Sequence, residues 1–368
     1  MFANVTPVGL TEIVDARRRL EGIALRTPVI ASNAAPPDRE VWLKLENLQA
    51  IGSFKVRPIG NAVLSRTSTD LARGIYTASS GNSALGVAWM AGRLGLKATA
   101  VVPDNAPEAK LAGLRRLGAD IVTLPFAEWW RVIETGRHEG LDGLYIDAVR
   151  DPAALAGDAT IGAELIEQLG DLDAVFVPFG GGGLASGIAC AVKALRPGVR
   201  IVACELDSAQ PMRAAMAAGR PVEVSADPGF VSGVGYRSVL PEMWPLVSAM
   251  IDEVVTVSLD QVTAAIRALA TGNHVIAEGA GAVSVAAALF GTHRHRNICA
   301  IVSGGNIDAA LLGQILMSGD SGDRHGIAPL PDEIGDGDQD QPRHADNPRD
   351  VPEIGVEPHR HQNRAKQG

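Results

Sequence analysis

The stretch AVFVPFGGGGLASGIACAV, residues 174–192, decides the fold of this chain. Its first six residues form a short apolar run that is typical of a buried strand, and its second half has the small-residue pattern of a buried helix. Four consecutive glycines join the two. A strand that passes through a tight turn into a helix is the repeating unit of layered α/β proteins. Residues 174–192 therefore predict a parallel sheet covered by helices.

The same rhythm extends in both directions from this stretch. Strand-like runs such as KATAVVP and RIVACEL alternate with helical patterns such as EAKLAGLRRL from about residue 41 to the three-hundreds. The chain has 368 residues, which is more than one hydrophobic core usually organises. We therefore predict a two-domain α/β protein with parallel or mixed sheets flanked by helices.

Composition argues against several classes of partner. The chain carries 33 Lys and Arg against 42 Asp and Glu, so nucleic acid is not expected, because phosphate backbones attract basic proteins. No apolar run is long enough for a membrane helix, and the N-terminus does not resemble a signal peptide. Cys190, Cys204 and Cys299 lie in apolar runs and are expected to be buried, reduced thiols. These features predict a soluble cytoplasmic protein.

The last part of the chain has a different composition. Residues 319–368 are dense in Pro, Gly, Asp and His and contain almost no large apolar side chains. Such a segment buries too little surface to offset the entropy lost on ordering. We expect residues 319–368 to be a disordered polar tail.

The glycine run at residues 180–183 is the first candidate for a ligand site. Backbone N–H groups before a helix bind phosphate, and glycines let a ligand approach closely. A dinucleotide site is a second interpretation, because the run and Ala185 fit G-x-G-x-x-A and Glu205 ends the next strand. A purely structural turn is the third. The run alone does not separate these interpretations.

The segment GSFKVRP, residues 52–58, is the second candidate. Ser53 is expected to cap a helix that has Lys55 in its first turn. The helix dipole and burial both disfavour the ammonium form of such a lysine and lower its pKa. The free amine could then form a Schiff base with a carbonyl compound. Taken alone, however, a lysine at a helix start is usually a solvated surface residue.

A polar turn, formed by Ser79, Ser80, Gly81, Asn82 and Ser83, is the third candidate. It follows a strand-like run and opens a helical pattern, so its backbone N–H groups and hydroxyls could bind an anion such as a carboxylate. An ordinary capped turn has the same kind of sequence, because Ser and Asn are common N-cap residues. Both interpretations stay open at this point.

A further strand, turn and helix are predicted in CAIVSGGNIDAALLG, residues 299–313. Ser303 follows the strand and can present its hydroxyl to the crevice where α/β sheets bind ligands. A helix cap explains the same serine equally well. Glu278, which precedes a small-residue helix, is either a surface cap or an acid that faces inward.

The motifs S-F-K, S-S-G-N, G-G-G-G-L and S-G-G-N, in this order and at these intervals, resemble the fold-type II enzymes that use pyridoxal 5′-phosphate (PLP). The likeness is greatest to serine/threonine dehydratases and serine racemase. It implies a fold of the tryptophan synthase β type, with a large PLP-binding domain at 1–49 and 148–318 and a small inserted domain at 50–147. It also implies a homodimer.

The resemblance implies roles for individual residues. Lys55 is expected to hold PLP covalently, and Ser80 is expected to face the opposite side of the substrate, which makes these two the candidate catalytic residues. The turn at residues 79–83 is expected to bind the substrate. The other implied cofactor contacts are Phe54 beside the ring, Asn82 at the ring hydroxyl, Gly180, Gly181, Gly182, Gly183 and Leu184 at the phosphate, and Ser303 at the pyridine nitrogen.

The implied reaction removes the β-hydroxyl of threonine or serine and gives a 2-oxo acid and ammonia. The amine of Lys55, once displaced by the substrate, would take the α-proton as general base. Racemisation is an alternative because of Ser80, and a 3-hydroxyaspartate or a hydroxyectoine-derived compound is an alternative substrate. A nucleotide-binding oxidoreductase is the remaining alternative, and it leaves three of the four motifs without a role.

Three positions depart from the pattern of the family. Pro58 stands where a glycine usually follows Arg57, and Ser83 stands where a histidine usually follows the asparagine. In relatives with a divalent cation site a second acid follows the equivalent of Glu205, but here Pro211 stands at about that position, so no metal is expected. These departures lie around the expected substrate pocket and leave the substrate less well defined than the cofactor.

Overall fold

The computed structural model describes residues 2–106 and 108–318, which form two β-sheets flanked by helices. The predicted α/β fold with parallel and mixed sheets is confirmed. No helix in these two ranges is long and apolar enough to cross a membrane. The predicted polar tail, residues 319–368, lies outside the described residues.

The secondary structure follows the alternation seen in the sequence. The strands are β1 (Val29–Ala31), β2 (Glu40–Lys44), β3 (Ile75–Ala78), β4 (Ala98–Pro103), β5 (Asp120–Leu124), β6 (Leu144–Tyr145), β7 (Ala174–Pro178), β8 (Arg200–Leu206), β9 (Glu253–Val257) and β10 (Asn297–Ile301). The α-helices are α1 (Leu10–Arg19), α2 (Val56–Leu64), α3 (Ser68–Leu71), α4 (Asn82–Leu94), α5 (Glu108–Arg116), α6 (Phe126–Thr135), α7 (Pro152–Gln168), α8 (Gly183–Leu195), α9 (Pro211–Ala218), α10 (Trp244–Met250), α11 (Leu259–Gly272), α12 (Gly279–Phe290) and α13 (Ala309–Met317).

The larger sheet has the strand order β1-β2-β10-β7-β8-β9. Its pairs are parallel except β1 with β2, which is antiparallel. Alternate residues of β7 enter different cores, since Val175 and Val177 pack with α1, α7, α8 and α10, whereas Phe176 packs with α11, α12 and α13. Both faces of β7 are therefore covered, which explains its continuous apolar sequence.

The smaller sheet has the order β5-β4-β3-β6, and all of its pairs are parallel. Helices α2, α4 and α5 cover one face, and α6 covers the other. Its strands all come from residues 75–145, inside the segment expected to form the small domain. The domain boundaries themselves stay a prediction.

The three cysteines are placed as their apolar surroundings predict. Cys190 lies in α8, Cys204 in β8 and Cys299 in β10, and all three are buried and free. Burial raises the pKa of each thiol, so the reactive thiolate form is disfavoured. The cysteines are therefore packing residues.

Candidate active site

Three of the sequence motifs follow the carboxyl ends of parallel strands. The turn that begins at Ser79 follows β3, the loop that begins at Gly180 follows β7, and Ser303 lies two residues after β10. Strands β7 and β10 are neighbours in the larger sheet. The carboxyl ends of parallel strands are where open α/β sheets bind ligands.

The segment that contains Lys55 lies against the S-G-G-N segment. The backbone N–H of Phe54 donates a hydrogen bond to the carbonyl of Ser303 at 2.9 Å, and the N–H of Gly305 donates to the carbonyl of Gly52 at 2.8 Å. These bonds cross more than two hundred residues of sequence. They fix Lys55 and Ser303 at one place in the fold.

Asn82 links the polar turn to the same place. Its amide Nδ2 donates to Oε1 of Glu278 at 2.7 Å, and its Oδ1 accepts from Nδ2 of Asn306 at 2.8 Å. A Cβ atom on Gly304 would lie 2.2 Å from that Glu278 oxygen. A larger residue at position 304 would therefore displace the Glu278 carboxylate from Asn82, and the Asn82 side chain is held from both sides.

The glycine loop between β7 and α8 forms a tight cradle. A Cβ on Gly180 would lie 2.1 Å from the carbonyl oxygen of Gly233, and Gly182 has a φ of 91°. Gly182 is the N-cap of α8 and supplies no side-chain hydrogen bond to the first turn. The first N–H groups of α8 are thus left for an anionic ligand.

The start of the helix after Lys55 differs from the prediction. Helix α2 begins at Val56, so Lys55 is the N-cap residue rather than part of the first turn, and no side chain caps the helix. The predicted Ser53 cap is wrong: its Oγ is buried without a hydrogen-bond partner in the part of the chain that the structure describes. Lys55 already has helical backbone angles, so Ser53 lies too early in the chain to cap this helix.

The Lys55 amine lies in a largely desolvated position. Its Nζ is 4.7 Å from the centroid of the Phe54 ring. Burial lowers the pKa of Lys55, and the carboxylates of Asp158 and Asp147 act in the opposite direction. Desolvation is therefore the main cause of the lowered pKa, as a lysine that has to react as a free amine requires.

The sequence left two interpretations of Glu278 open, a surface cap and an acid that faces inward. The structure supports the second. It is the N-cap residue of α12, but its side chain makes no cap hydrogen bond and instead accepts from Asn82. Burial raises its pKa to about 7, against the opposing effects of the Asn82 hydrogen bond and the charge of Lys110. Glu278 can therefore gain or lose a proton near neutral pH.

Two further acids that the motifs did not indicate act on Lys55. Asp147 follows β6, and its Oδ2 accepts from Nε of Arg150 at 2.6 Å. Asp158 lies in the middle of α7 and is completely buried. An available signal was that Asp158 interrupts an otherwise small and apolar stretch, PAALAGDATIGA.

Glu205 has a local structural partner. Its Oε1 accepts from the backbone N–H of Met212 at 2.7 Å and its Oε2 from that of Arg213 at 3.1 Å, so it caps α9, which begins at Pro211. Burial raises its pKa to about 7. Within residues 2–106 and 108–318, no group of three or more His, Cys, Asp or Glu is arranged to hold a metal ion.

The remaining predicted residues lie on the same loops. Ser80 and Ser83 are half-buried at the start of α4, whose N-cap Gly81 gives no side-chain hydrogen bond. Leu184 is buried in the first turn of α8. Two helix N-termini without side-chain caps and a desolvated amine fit a cofactor that carries a phosphate and a carbonyl.

Comparison with known proteins gives a consistent result. A family model described as pyridoxal-phosphate dependent enzyme matches residues 20–304. The chain is 34% identical over 317 residues to the L-threonine ammonia-lyase of Thermotoga maritima, which covers 85% of this chain and 79% of that protein. It is also 34% identical over 321 residues to the catabolic L-threonine dehydratase TdcB of Escherichia coli, with 84% and 96% covered. Among solved structures, maize serine racemase matches with a TM-score of 0.77 and 29% identity, over 85% of this chain and 98% of that chain.

Proposed function

The chain belongs to the family of pyridoxal-phosphate-dependent enzymes, and we propose that it eliminates the β-hydroxyl of threonine or serine to give a 2-oxo acid and ammonia. The family match spans residues 20–304 and confirms the predicted PLP cofactor and the fold-type II class. The observation that carries the proposal is 34% identity, across 85% of the chain, to an L-threonine ammonia-lyase. The dinucleotide interpretation of the glycine run is superseded by this match.

PLP, when bound, withdraws electrons from the substrate Cα and makes its proton removable. Hydrogen bonds join the segments that carry Lys55, Asn82 and Ser303, and the glycine loop follows β7, which pairs with β10. The proposed contacts are Lys55 for the carbonyl carbon, Gly180, Gly181, Gly182 and Gly183 with Leu184 for the phosphate, Ser303 for the pyridine nitrogen, Asn82 for the ring hydroxyl and Phe54 beside the ring.

Lys55 also supplies the proposed general base. Burial lowers its pKa, so a larger fraction of the amine is neutral near pH 7 than for an ordinary lysine. Only the neutral amine can accept the α-proton at Nζ. The electron pair of the Cα–H bond then forms a Cα=Cβ double bond as the β-hydroxyl leaves the adjacent carbon Cβ and takes up a proton to become water, and hydrolysis of the product gives the 2-oxo acid and ammonia.

The substrate carboxylate is proposed to bind at the start of α4. Gly81 leaves the first N–H groups of this helix without a side-chain cap, and the positive end of the helix dipole favours an anion. The turn formed by Ser79, Ser80, Gly81, Asn82 and Ser83 surrounds that position. Because Asn82 is held by Glu278 and Asn306, the turn is pre-organised.

Racemisation is a second candidate activity, and Ser80 is the observation that favours it. Ser80 and Lys55 belong to different segments: Ser80 lies on the turn before α4, and Lys55 lies just before α2. A racemase needs a second group to return a proton on the other face of the substrate. Measurement of D-amino acid formed per 2-oxo acid by the wild-type protein and by Ser80→Ala tests this role.

A spectroscopic experiment tests the cofactor and its lysine. The purified protein should show a visible absorption band. Borohydride should remove this band and leave the cofactor attached to Lys55 as the label. Lys55→Ala should lose the band and lower 2-oxo acid release from threonine by about 10²–10⁴-fold or more. Lys97→Ala is the control, because this lysine is exposed and pairs with Asp120. A Lys55→Ala protein that keeps the band and full activity would contradict the proposal.

A substrate screen tests the specificity. Threonine, serine and 3-hydroxyaspartate should be compared by kcat/KM for 2-oxo acid release. Release from 3-hydroxyaspartate alone would replace the proposed substrate and leave the lyase chemistry in place.

The organisation of the protein is part of the same proposal. We propose a large domain at 1–49 and 148–318, a small domain at 50–147 and assembly as a homodimer, which sedimentation in solution would test. The two separate sheets support the domain division. A cytoplasmic location is supported by the three free cysteines.

A further inference from the structure

Asp158 is a buried carboxyl group near Lys55 that has no part in the proposed function. We propose that Asp158 is a positioning residue that provides the counter-charge of the Lys55 amine. The inference rests on the proposed role of Lys55 as the reactive lysine. It adds a residue from the middle of α7 to a site whose other members come from loops and from the first turns of helices.

Close packing between α7 and α2 brings Asp158 to the start of α2, which Lys55 immediately precedes. A Cβ on Gly157 would lie 2.3 Å from the carbonyl oxygen of Arg57 and 2.8 Å from Cα of Pro58. Only glycine at position 157 allows the backbone of α7 to touch the first turn of α2 this closely. The next residue, Asp158, therefore lies beside the segment that carries Lys55.

A third helix closes the same space. A Cβ on Gly187, in α8, would lie 2.5 Å from Cβ of Asp158. Asp158 has no exposed surface. Its carboxyl group is thus enclosed among α2, α7 and α8, the last of which begins at the glycine loop.

The carboxyl group has no neutral partner in this space. Within residues 2–106 and 108–318, neither Oδ1 nor Oδ2 of Asp158 has a hydrogen-bond partner. A buried polar group without partners is rare, and a buried charge needs an opposite charge. The strongest opposite charge that acts on Asp158 is that of Lys55.

The surrounding charges explain how the pair behaves. Burial raises the pKa of Asp158 to about 8, and Lys55 acts against this shift; Glu46 raises the pKa and Arg57 lowers it by smaller amounts. On Lys55, burial lowers the pKa, and Asp158 and then Asp147 oppose it. For each group, the charge of the partner thus opposes the effect of burial on the pKa.

The pair can therefore hold one proton in two ways. The proton lies on Nζ of Lys55, with Asp158 as a carboxylate, or it lies on Asp158, with Lys55 as a neutral amine. Neither Asp158 oxygen has a hydrogen-bond partner in the described residues, so the two forms interconvert by exchange with water, one group releasing a proton and the other taking one up. The first arrangement stabilises the ammonium after Lys55 takes a proton, and the second leaves the amine free to react.

Competitive labelling of the full-length chain, freed of cofactor, tests the proposal. Acetic anhydride labelling of Lys55, read by mass spectrometry from pH 5 to pH 11, reports the fraction of free amine. In Asp158→Asn the midpoint should fall by about one pH unit, which is about tenfold more free amine below the midpoint. Asp158→Glu should keep the wild-type midpoint.

Glu167→Gln is the matched control, because it removes a carboxylate from the exposed part of the same helix, where it pairs with Arg17 and Arg26. It should leave the midpoint of Lys55 unchanged. An Asp158→Asn protein with the wild-type midpoint would overturn the proposal.

A reciprocal measurement keeps the proposal testable if Asp158→Asn does not fold. In chain labelled with carbon-13 aspartate, one carboxyl resonance should titrate near pH 8 in wild type and at a higher pH in Lys55→Met, which lacks the amine. An unchanged titration would refute the proposal. Both measurements use the chain without PLP, so their outcome does not depend on whether the protein is a lyase.

Discussion

Two pairs of opposite charges lie on the same two helical segments and are buried in different ways. Arg57 of α2 and Glu164 of α7 bond directly, with NH1–Oε1 at 2.7 Å and NH2–Oε2 at 2.8 Å. In the other pair, the Lys55 amine just before α2 and the Asp158 carboxyl of α7, neither carboxylate oxygen has a hydrogen-bond partner in the described part of the chain. We call an ion saturated when its polar atoms have hydrogen-bond partners and unsaturated when they have none. A saturated ion holds its helix in place, whereas an unsaturated ion can change its protonation state.

The saturated pair is the centre of a larger group, which we name the ionic network. Arg57 donates to Glu46 from Nε and NH2, both at 2.9 Å, and Lys44 donates to Glu164 at 2.6 Å. The Thr27 hydroxyl adds a bond to Glu46 at 2.7 Å. The ionic network consists of Lys44, Glu46, Arg57 and Glu164.

The pKa values show which effect wins in each pair. Burial, the largest single effect, would raise the pKa of Glu46, but Arg57 together with Lys44 and Thr27 outweighs it and the pKa is lowered. For Lys55 and Asp158 burial outweighs the partner, so one pKa falls and the other rises. Lys44 resembles the second pair, since burial lowers its pKa despite Glu164. Arg57, which stays charged, is therefore the cation on which the ionic network depends.

The largest expected effect comes from breaking the ionic network. Arg57→Leu leaves Glu46 and Glu164 buried without their main cation and should lower the free energy of unfolding by about 3–5 kcal/mol. Urea denaturation measures this. Arg17→Ala, which removes an ion pair whose side chains are 49% and 41% exposed, should cost at most about 1 kcal/mol. Equal losses in the two variants would show that the network has no special role.

Replacement of Asp158 is expected to raise the free energy of unfolding at high pH, whereas replacement of Arg57 lowers it. Its pKa rises from 3.8 to about 8 on folding, so the folded chain binds more protons than the unfolded chain between these values. Wild-type stability should therefore fall as pH rises from about 4 to 8. Asp158→Asn should be more stable than wild type by about 1–3 kcal/mol at pH 9, and the difference should shrink at pH 5. A variant that is less stable than wild type at pH 9 would contradict this.

The loops of the site could be predicted from the sequence, but the buried charged residues that pack against them could not. Glycine runs and strand ends are local features, so the α/β fold and the place of Ser303 after a strand could be predicted, whereas the helix beside Lys55 begins later than predicted. The inward direction of Glu278 and the burial of Asp158 depend on how helices pack. Gly157 permits that packing, but the residues around it in the sequence do not indicate that it contacts the first turn of α2.

Glu278 is an intermediate case, because it has one hydrogen-bond donor in Asn82. Its pKa rises from 4.5 to about 7, so the stability that it contributes is present below about pH 4.5 and is lost as pH rises to 7. Glu278→Gln keeps an acceptor for Asn82 and should flatten this part of the profile by about 1 kcal/mol. Thermal unfolding at several pH values measures it. The exposed Glu223→Gln is the control and should leave the profile unchanged.

The smallest expected effect compares two buried serines. Ser284 donates from Oγ to the carbonyl of Ile301 at 2.7 Å, whereas the Oγ of Ser53 has no partner in the described residues. Both side chains are completely buried. Ser284→Ala should cost about 1 kcal/mol because it breaks a hydrogen bond and leaves a carbonyl with one partner fewer. Ser53→Ala should change the free energy of unfolding by less than about 0.5 kcal/mol, since no bond is lost. If both variants lose the same amount in urea denaturation, an ordered water satisfies Ser53, and the contrast between saturated and unsaturated polar groups does not extend to it.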